Sequence, residues 1–535
     1  MTARFALAVA LALAPVPVAA QDHEHHGAPP AAIGRVRFPT SCRAAAQPAF
    51  ERGVALLHSF WYEEAGRAFR DAGAADTACT MAWWGLASSY LHPLWAPPTP
   101  AELQQAAAAL ERARANPAPT PREAAYVEAV SAFYADYAAT PHPQRLRRWS
   151  DALERLHQAH PDDGEGAALY ALSLLAVANA SPPDSSYTRQ RRAAGILEPL
   201  FQRQPNHPGL AHYLIHATDA PALARAGTRA ADRYAAIAPS VPHARHMPSH
   251  IYIRLGRWDQ AIASNASSAE AARQYEQQQR MDAVWDQRLH AMDYMVYAFL
   301  QQGRDDAARG VVTEAAAVQR YSPERGITSE YALAAIPARY ALERGEWREA
   351  AALPLRPGFQ APAEAVTRFA RVIGAARSGD AALARTELAA LAAIDDDLTR
   401  RAVPLWAGMV RAQRLAAAAW VALADGDTAA AVARAFEAAD LEDRIEKHPV
   451  TPGAILPARE LFGDLLLALG QPAPALAVFE AALAQQPRRG RSLAGAARAA
   501  EAAGDRPAAL RYRRELRELL ARADRERRVA AGAAY

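Results

Sequence analysis

The sequence predicts an all-α solenoid of helix-turn-helix repeats, and three observations carry that prediction. A spacing of 34 residues recurs in three separate regions, apolar residues inside each unit fall at helical intervals, and glycines punctuate an alanine-rich chain. Near the N-terminus Ala49 and Trp83, Gly53 and Ala87, Leu56 and Tyr90, and His58 and His92 are all 34 apart. In the middle Pro205 and Pro239, Pro208 and Pro242, His212 and His246, and His216 and His250 repeat the interval. Towards the C-terminus Gly470 and Gly504, Ala475 and Ala509, and Gly463 and Ala497 do so again. Length alone, at 535 residues, suggests three or four domains. The period replaces these with one continuous stack.

Residues 1–20 read as a secretory signal. Arg4 supplies the basic start, Phe5 to Ala14 the apolar run, and Val18-Ala19-Ala20 a small-residue cleavage site. That run is too short to span a bilayer and no other window is long enough, so a periplasmic or secreted protein without a membrane span is expected. Residues 21–40 read as a polar, histidine-containing linker, 41–520 as the solenoid, and 521–535 as a C-terminal tail. The fit is poorer over 93–200, where proline-rich turns break the register. The Arg- and Glu-rich stretch from Arg511 to Arg528 reads as a solvating cap.

Composition narrows the function classes. A net charge of +3 gives no bulk attraction for nucleic acid, and Lys447 is the only lysine. Two cysteines exclude a disulfide scaffold and a multi-cysteine zinc site. In an oxidising compartment Cys42 and Cys79 form a single disulfide; the alternative is a pair of buried thiols.

Inside the units, Trp83, Leu86, Ala87 and Tyr90 share one helical face, and Gly256-Arg257-Trp258-Asp259-Gln260-Ala261 reads as a turn opening a second helix. Gly470 through Ala475, Phe479, Ala482 and Pro487 gives turn, helix and stop in order, and weaker units fall around Gly303, Gly345, Gly379 and Gly426. These residues at this period resemble the tetratricopeptide repeat. The resemblance implies stacked helix pairs with a concave groove, lined by each repeat's first helix, in which a protein or peptide binds. The phrases His207-Pro208-Gly209-Leu210-Ala211-His212-Tyr213-Leu214-Ile215-His216 and His246-Met247-Pro248-Ser249-His250-Ile251 are similar to those of a group of exported bacterial tetratricopeptide proteins. Val450-Thr451-Pro452-Gly453 and His92-Pro93-Leu94-Trp95 fit that group as well.

Of 16 histidines, seven fall between His207 and His290. His212 and His216 are four apart and project from one helix face; His246 and His250 repeat the pair one period later. His243, His246 and His250 lie 13, 10 and 6 residues before Gly256, and the same offsets before Gly303 give His290, Asp293 and Tyr297. The resemblance places these rungs, with His58 and His92, on the groove. Two imidazoles four apart offer two neutral nitrogens to one ion, and a neighbouring helix about 8–10 Å away brings more within reach. Nitrogen ligands without thiolate suit zinc, copper or nickel rather than magnesium or calcium, with Asp219 and Asp293 as a further ligand or a partner to an imidazole. Cleavage after Ala20 also exposes Gln21-Asp22-His23, a square-planar copper or nickel site, followed by His25 and His26.

Three readings stay open at this point. The histidines hold a metal, line a metal-free groove for a protein or peptide, or are structural residues copied by duplication. The C-terminal repeats keep the apolar skeleton and drop the imidazoles. The tetratricopeptide clamps that grip peptide carboxylates use Lys, Arg and Asn on these rungs, whereas this chain has histidine. A metal-dependent hydrolase or oxidase is a further reading, but Tyr213 and Met247 stand where a zinc protease carries its glutamate, and no phosphate loop or nucleophile elbow appears.

Overall fold

Helices follow one another from Gln47–His58 to Arg506–Leu519, each packed on its neighbour in the chain, as in Pro404–Ala424 on Thr428–Glu442. The only strands among the described residues are two residues long, pairing in parallel as Val284 with Tyr321 and Trp285 with Ser322. This is the expected all-α helix-turn-helix solenoid. The computed structural model describes residues 32–528 except 117 and 183. The signal segment and the N-terminal candidates His23, His25 and His26 lie outside the described residues, as do 529–535.

Two aromatic side chains show why small residues recur from one unit to the next. Phe69 sits between Gly53 and Gly85, and a Cβ on Gly85 would lie 2.3 Å from its ring. Phe479 sits between Gly463 and Gly495 in the same way, again with 2.3 Å at the second glycine. Each ring belongs to the second helix of a pair and needs a bare backbone on the first helices before and after it. The turn glycines of the sequence prediction all adopt positive φ. Gly345 (φ 74°) and Gly379 (φ 89°) close their helices in the left-handed conformation that only glycine reaches without strain. Their separation is one period, but Gly256 and Gly303 stand further apart because Trp258–Gln278 runs for 21 residues.

Residues 93–200, expected to be irregular, form five helices: Pro100–Ala115, Pro121–Tyr134, His142–Ala159, Gly164–Asn179 and Thr188–Arg203. Pro100 and Pro121 occupy first-turn positions, where their missing N–H costs nothing, behind the caps Thr99 and Thr120. Pro97, Pro98 and Pro119 of the expected proline-rich turns lie in the non-helical connections just ahead of these helices.

The linker and tail also differ from expectation. Phe38 is fully buried against Phe50, Trp84 and Tyr126, and Arg35 donates its backbone N–H to Asn206 at 3.0 Å, so residues 32–40 are packed chain. The cap keeps Arg511, Arg517, Glu518 and Arg525 exposed and is also anchored: Asp524 N–H bonds the Gly303 carbonyl at 3.0 Å and Arg527 pairs with Asp305 at 2.6 Å. Both segments carry apolar or chargeable residues that find partners far away in sequence. Cys42 and Cys79 form a disulfide with Cα atoms 4.9 Å apart, tying the chain before the first helix to the start of Thr80–Ser88. No helix among the described residues is long and apolar enough to cross a membrane.

One irregular segment matters for the site. Between Thr428–Glu442 and Ala458–Ala468 the chain runs back among the central helices. Lys447 pairs with Asp219 at 2.7 Å, Glu446 with Arg254 at 3.0 Å, and the Gly453 carbonyl accepts from Arg339 at 3.0 Å.

Candidate metal centre

His212 and His216 stand on the helix Pro208–Thr218. Pro208 opens that helix at its first turn and His207 caps it, its Nδ1 accepting from Leu210 N–H at 3.3 Å. His243 and His246 lie on Pro242–His246, and His250 on Pro248–Arg254. The sequence suggests one helix here, but it divides at Met247 because Pro248 lacks an N–H and crowds the preceding turn. Met247 keeps helical angles across the break, so His246 and His250 still share a face. His290 comes from Asp286–Gln301.

Side-chain nitrogens converge in two trios, His212 with His216 and His243, and His246 with His250 and His290. In the first, His212 Nε2 lies 3.1 Å from Nε2 of both His216 and His243. In the second, Nε2 of His246 and His250 are 2.9 Å apart, and the His290 ring lies tilted against His246, 4.2 Å away between ring centroids. For comparison, three nitrogens around a tetrahedral ion at 2.0–2.1 Å stand about 3.3 Å apart.

The opposite ring nitrogens decide what these contacts are. His212 Nδ1 is 2.7 Å from the backbone carbonyl of His58, the last residue of helix Gln47–His58, whose carbonyl has no helical partner. His246 Nδ1 is 2.6 Å from Asn265 Oδ1, and Asn265 is held that way round because its Nδ2 donates to the Ala261 carbonyl at 2.7 Å. His250 Nδ1 is 2.7 Å from Asp219 Oδ2. All three partners are acceptors, so each Nδ1 carries the proton and each neutral ring turns a lone pair outward at Nε2. His246 and His250 therefore face each other lone pair to lone pair. The Tyr294 hydroxyl, 3.3 Å from His250 Nε2, has a nearer acceptor in the Thr451 carbonyl at 3.0 Å. In the first trio the single lone pair of His212 meets two imidazole nitrogens and can accept from only one. Both ring nitrogens of His290 are buried without a hydrogen-bond partner.

Burial, and then the facing imidazoles, holds His212, His216, His243, His246 and His290 well below the usual histidine range. Burial and then Lys447 lower His250 to about 4. At neutral pH the trios are uncharged, with lone pairs available.

The rungs are not an open groove. Five of the six histidines are buried, covered by Phe60 (4.3 Å from His212 between ring centroids), by Trp95 (5.4 Å from His243 and 5.6 Å from His290), and by Tyr294. Tyr294 in turn donates to carbonyls of the 443–457 segment. His216 alone is part-exposed, in the wall of a cavity of about 170 Å³ also lined by Asp219, Leu94, Leu175, Tyr187 and Lys447.

Other candidates fall elsewhere. Asp293 stays outside both trios, its Oδ1 accepting from Arg339 Nε at 2.8 Å. Tyr297, expected on the groove, is buried against Arg489, whose Nη1 donates to its hydroxyl at 3.2 Å. His92 packs on Tyr62 near Glu102, apart from the trios. His58 is buried in a closed network: its Nε2 meets Glu165 Oε2 at 2.8 Å and its Nδ1 the Tyr213 hydroxyl at 2.8 Å, while His207 Nε2 meets Glu165 Oε1 at 2.7 Å. This network holds the His58 carbonyl that orients His212. Sequence reasoning missed Glu165, read only as part of a turn, and Asn265 and Lys447. A lone lysine in an arginine-rich chain was the available signal for Lys447. Asp219 does partner an imidazole, as expected.

No protein-family model matches the chain, and no curated protein matches it. Solved structures that align with it include the APC/C hetero-tetramer Cut9–Hcn1, at 12% identity and TM-score 0.36, covering 90% of this chain and 75% of that one. Two structures of the human IFIT1 dimer, one with PPP-AAAA and one with m7Gppp-AAAA, align at 11% identity with TM-scores of 0.36 and 0.37. They cover 89% and 90% of this chain and 91% of theirs.

Proposed function

We propose that this chain is an exported tetratricopeptide-like scaffold whose work is to hold transition-metal ions, zinc or copper, on its two histidine trios. One observation carries the reading. Hydrogen bonds to Asn265 and Asp219 turn the lone pairs of His246 and His250 toward each other at 2.9 Å in a buried site. Two buried lone pairs at that distance repel unless a cation lies between them. Nδ1–H bonded to carbonyl or carboxylate, with Nε2 free, is also how metal-bound imidazoles are oriented.

The resemblance to exported bacterial tetratricopeptide proteins supports the address, with cleavage after Ala20. Five of the six imidazoles are closed to a protein or peptide partner, because Phe60, Trp95 and Tyr294 with the 443–457 segment cover them; only His216 reaches a cavity. As for hydrolysis, Asp219 beside the cavity is already engaged by Lys447, Arg254 and His250.

Metal analysis of protein produced without a histidine tag tests the reading, alongside a His246→Ala/His250→Ala variant. Wild-type protein should carry zinc or copper and the variant at least one equivalent less. Metal-free wild-type protein that also takes up neither ion after chelator-free purification would overturn it. N-terminal sequencing of the exported protein, expected to begin at Gln21, tests the address.

A further inference from the structure

The two trios are not two separate sites. His243 and His246 lie 5.9 Å apart between ring centroids, and His216 and His250 lie 6.0 Å apart. Both gaps are shorter than the 6.4 Å between His250 and His290 inside one trio. All six imidazoles form a single cluster in which an ion on one trio is the neighbour of an ion on the other.

Charge selects among the metals. The carboxylates around this cluster are already neutralised. Asp219 is engaged by Lys447 and Arg254, and Arg254 also meets Glu446, while Asp293 is paired with Arg339. Six neutral imidazoles therefore offer no anion to a bound cation. Two divalent ions would bring four uncompensated positive charges into a buried, aromatic-walled space, at heavy cost in a low dielectric. Copper(I) halves that charge, suits imidazole ligands, and is content with three of them, whereas zinc seeks a fourth ligand.

We propose that the six histidines hold two copper ions as one coupled centre that binds dioxygen between them. This rests on the metal-holding reading above. Dioxygen is small, neutral and apolar, and so suits imidazoles packed against Phe60, Trp95 and Tyr294, with His216 in the wall of the adjoining cavity. The binding step balances without another reactant. Each copper(I) gives one electron and becomes copper(II), and the O–O double bond becomes the single bond of a peroxide bridging the two ions. No proton moves.

The test is anaerobic loading of the full chain with copper(I), followed by admission of oxygen. Expected are two coppers per chain, one dioxygen taken up for every two coppers, and an oxidised form silent in electron paramagnetic resonance because the two spins pair. A His212→Ala/His216→Ala variant should keep one copper, lose uptake in that ratio and show a resonance signal on oxidation. The milder His216→Gln variant, with far-UV circular dichroism of both, controls for folding. Two coppers with the full signal of independent copper(II) ions, or zinc displacing copper from both trios, would overturn the coupled centre and leave the metal-holding reading standing. Failure of the wild-type chain to bind either copper or zinc would overturn both.

Discussion

The central and C-terminal repeats place polar side chains on the same rungs but settle them differently. Positions 13, 10 and 6 residues before the turn glycine carry His243, His246 and His250 ahead of Gly256. Ahead of Gly470 the positions at 10 and 6 are Glu460 and Asp464, and ahead of Gly504 those at 13 and 6 are Arg491 and Arg498. The C-terminal groups neutralise one another: Arg491 bridges Glu460 and Asp464 at 2.9 and 2.6 Å, and Arg498 reaches Asp464 at 3.1 Å. Arg489, fully buried, joins Glu460 and Glu343 beneath them. Every charge there has its opposite in the same chain. In the central repeats imidazole faces imidazole, and on the proposed reading a bound ion supplies the partner. One fold thus pairs opposite charges on these positions in one half and gathers neutral imidazoles on them in the other.

The largest stability effect should come from breaking the closed half. Arg489→Ala leaves Glu343 buried without its cation and Glu460 with Arg491 alone, so chemical denaturation should show a loss of about 3–5 kcal/mol. His216→Ala in metal-free protein should change stability by about 1 kcal/mol or less, since no charge is stranded. Equal losses would erase the contrast between the halves. Replacing Cys42 and Cys79 together by alanine should cost about 3–4 kcal/mol through the freed loop, independently of metal.

Metal addition sharpens the same contrast from the other side. At a hundredfold excess over its dissociation constant, copper(I) should stabilise the protein by about 2.7 kcal/mol per site. That increment should survive Arg489→Ala and shrink in His246→Ala/His250→Ala. A loss in the first variant but not the second would reverse the assignment of roles.

A smaller effect is expected at Asp286, whose carboxyl is pushed up to about 7 by burial and then by Glu63, from an ordinary value of 3.8. A carboxyl raised on folding contributes stability that is complete below about pH 4 and is lost as pH rises through 7. Asp286→Asn should flatten that slope and leave the variant more stable than the wild type at pH 8. A denaturation series from pH 4 to 8 measures it. An unchanged slope would remove Asp286 from the account.

The fold was legible because close packing writes itself into spacing. Phe69 between Gly53 and Gly85, and Phe479 between Gly463 and Gly495, force small and large residues to recur at fixed intervals. The histidine trios were legible for the same reason, as pairs four apart repeated one period on. What the spacing did not carry was long-range docking. The 443–457 segment that covers the histidines and brings in Lys447, the N-terminal segment around Phe38, and the tail on Gly303 all meet partners by tertiary contact, which has no period. The open groove accordingly proved to be filled. Asp293 matched the rung but not the role, because Arg339 had already claimed it.

The most direct test is an anomalous difference map from crystals of untagged, chelator-free protein, recorded at the copper and zinc absorption edges. The account predicts two peaks, one within bonding distance of Nε2 of His212, His216 and His243, the other beside His246, His250 and His290. A map with the six imidazoles ordered and no peak among them, in protein soaked with either ion, would contradict it.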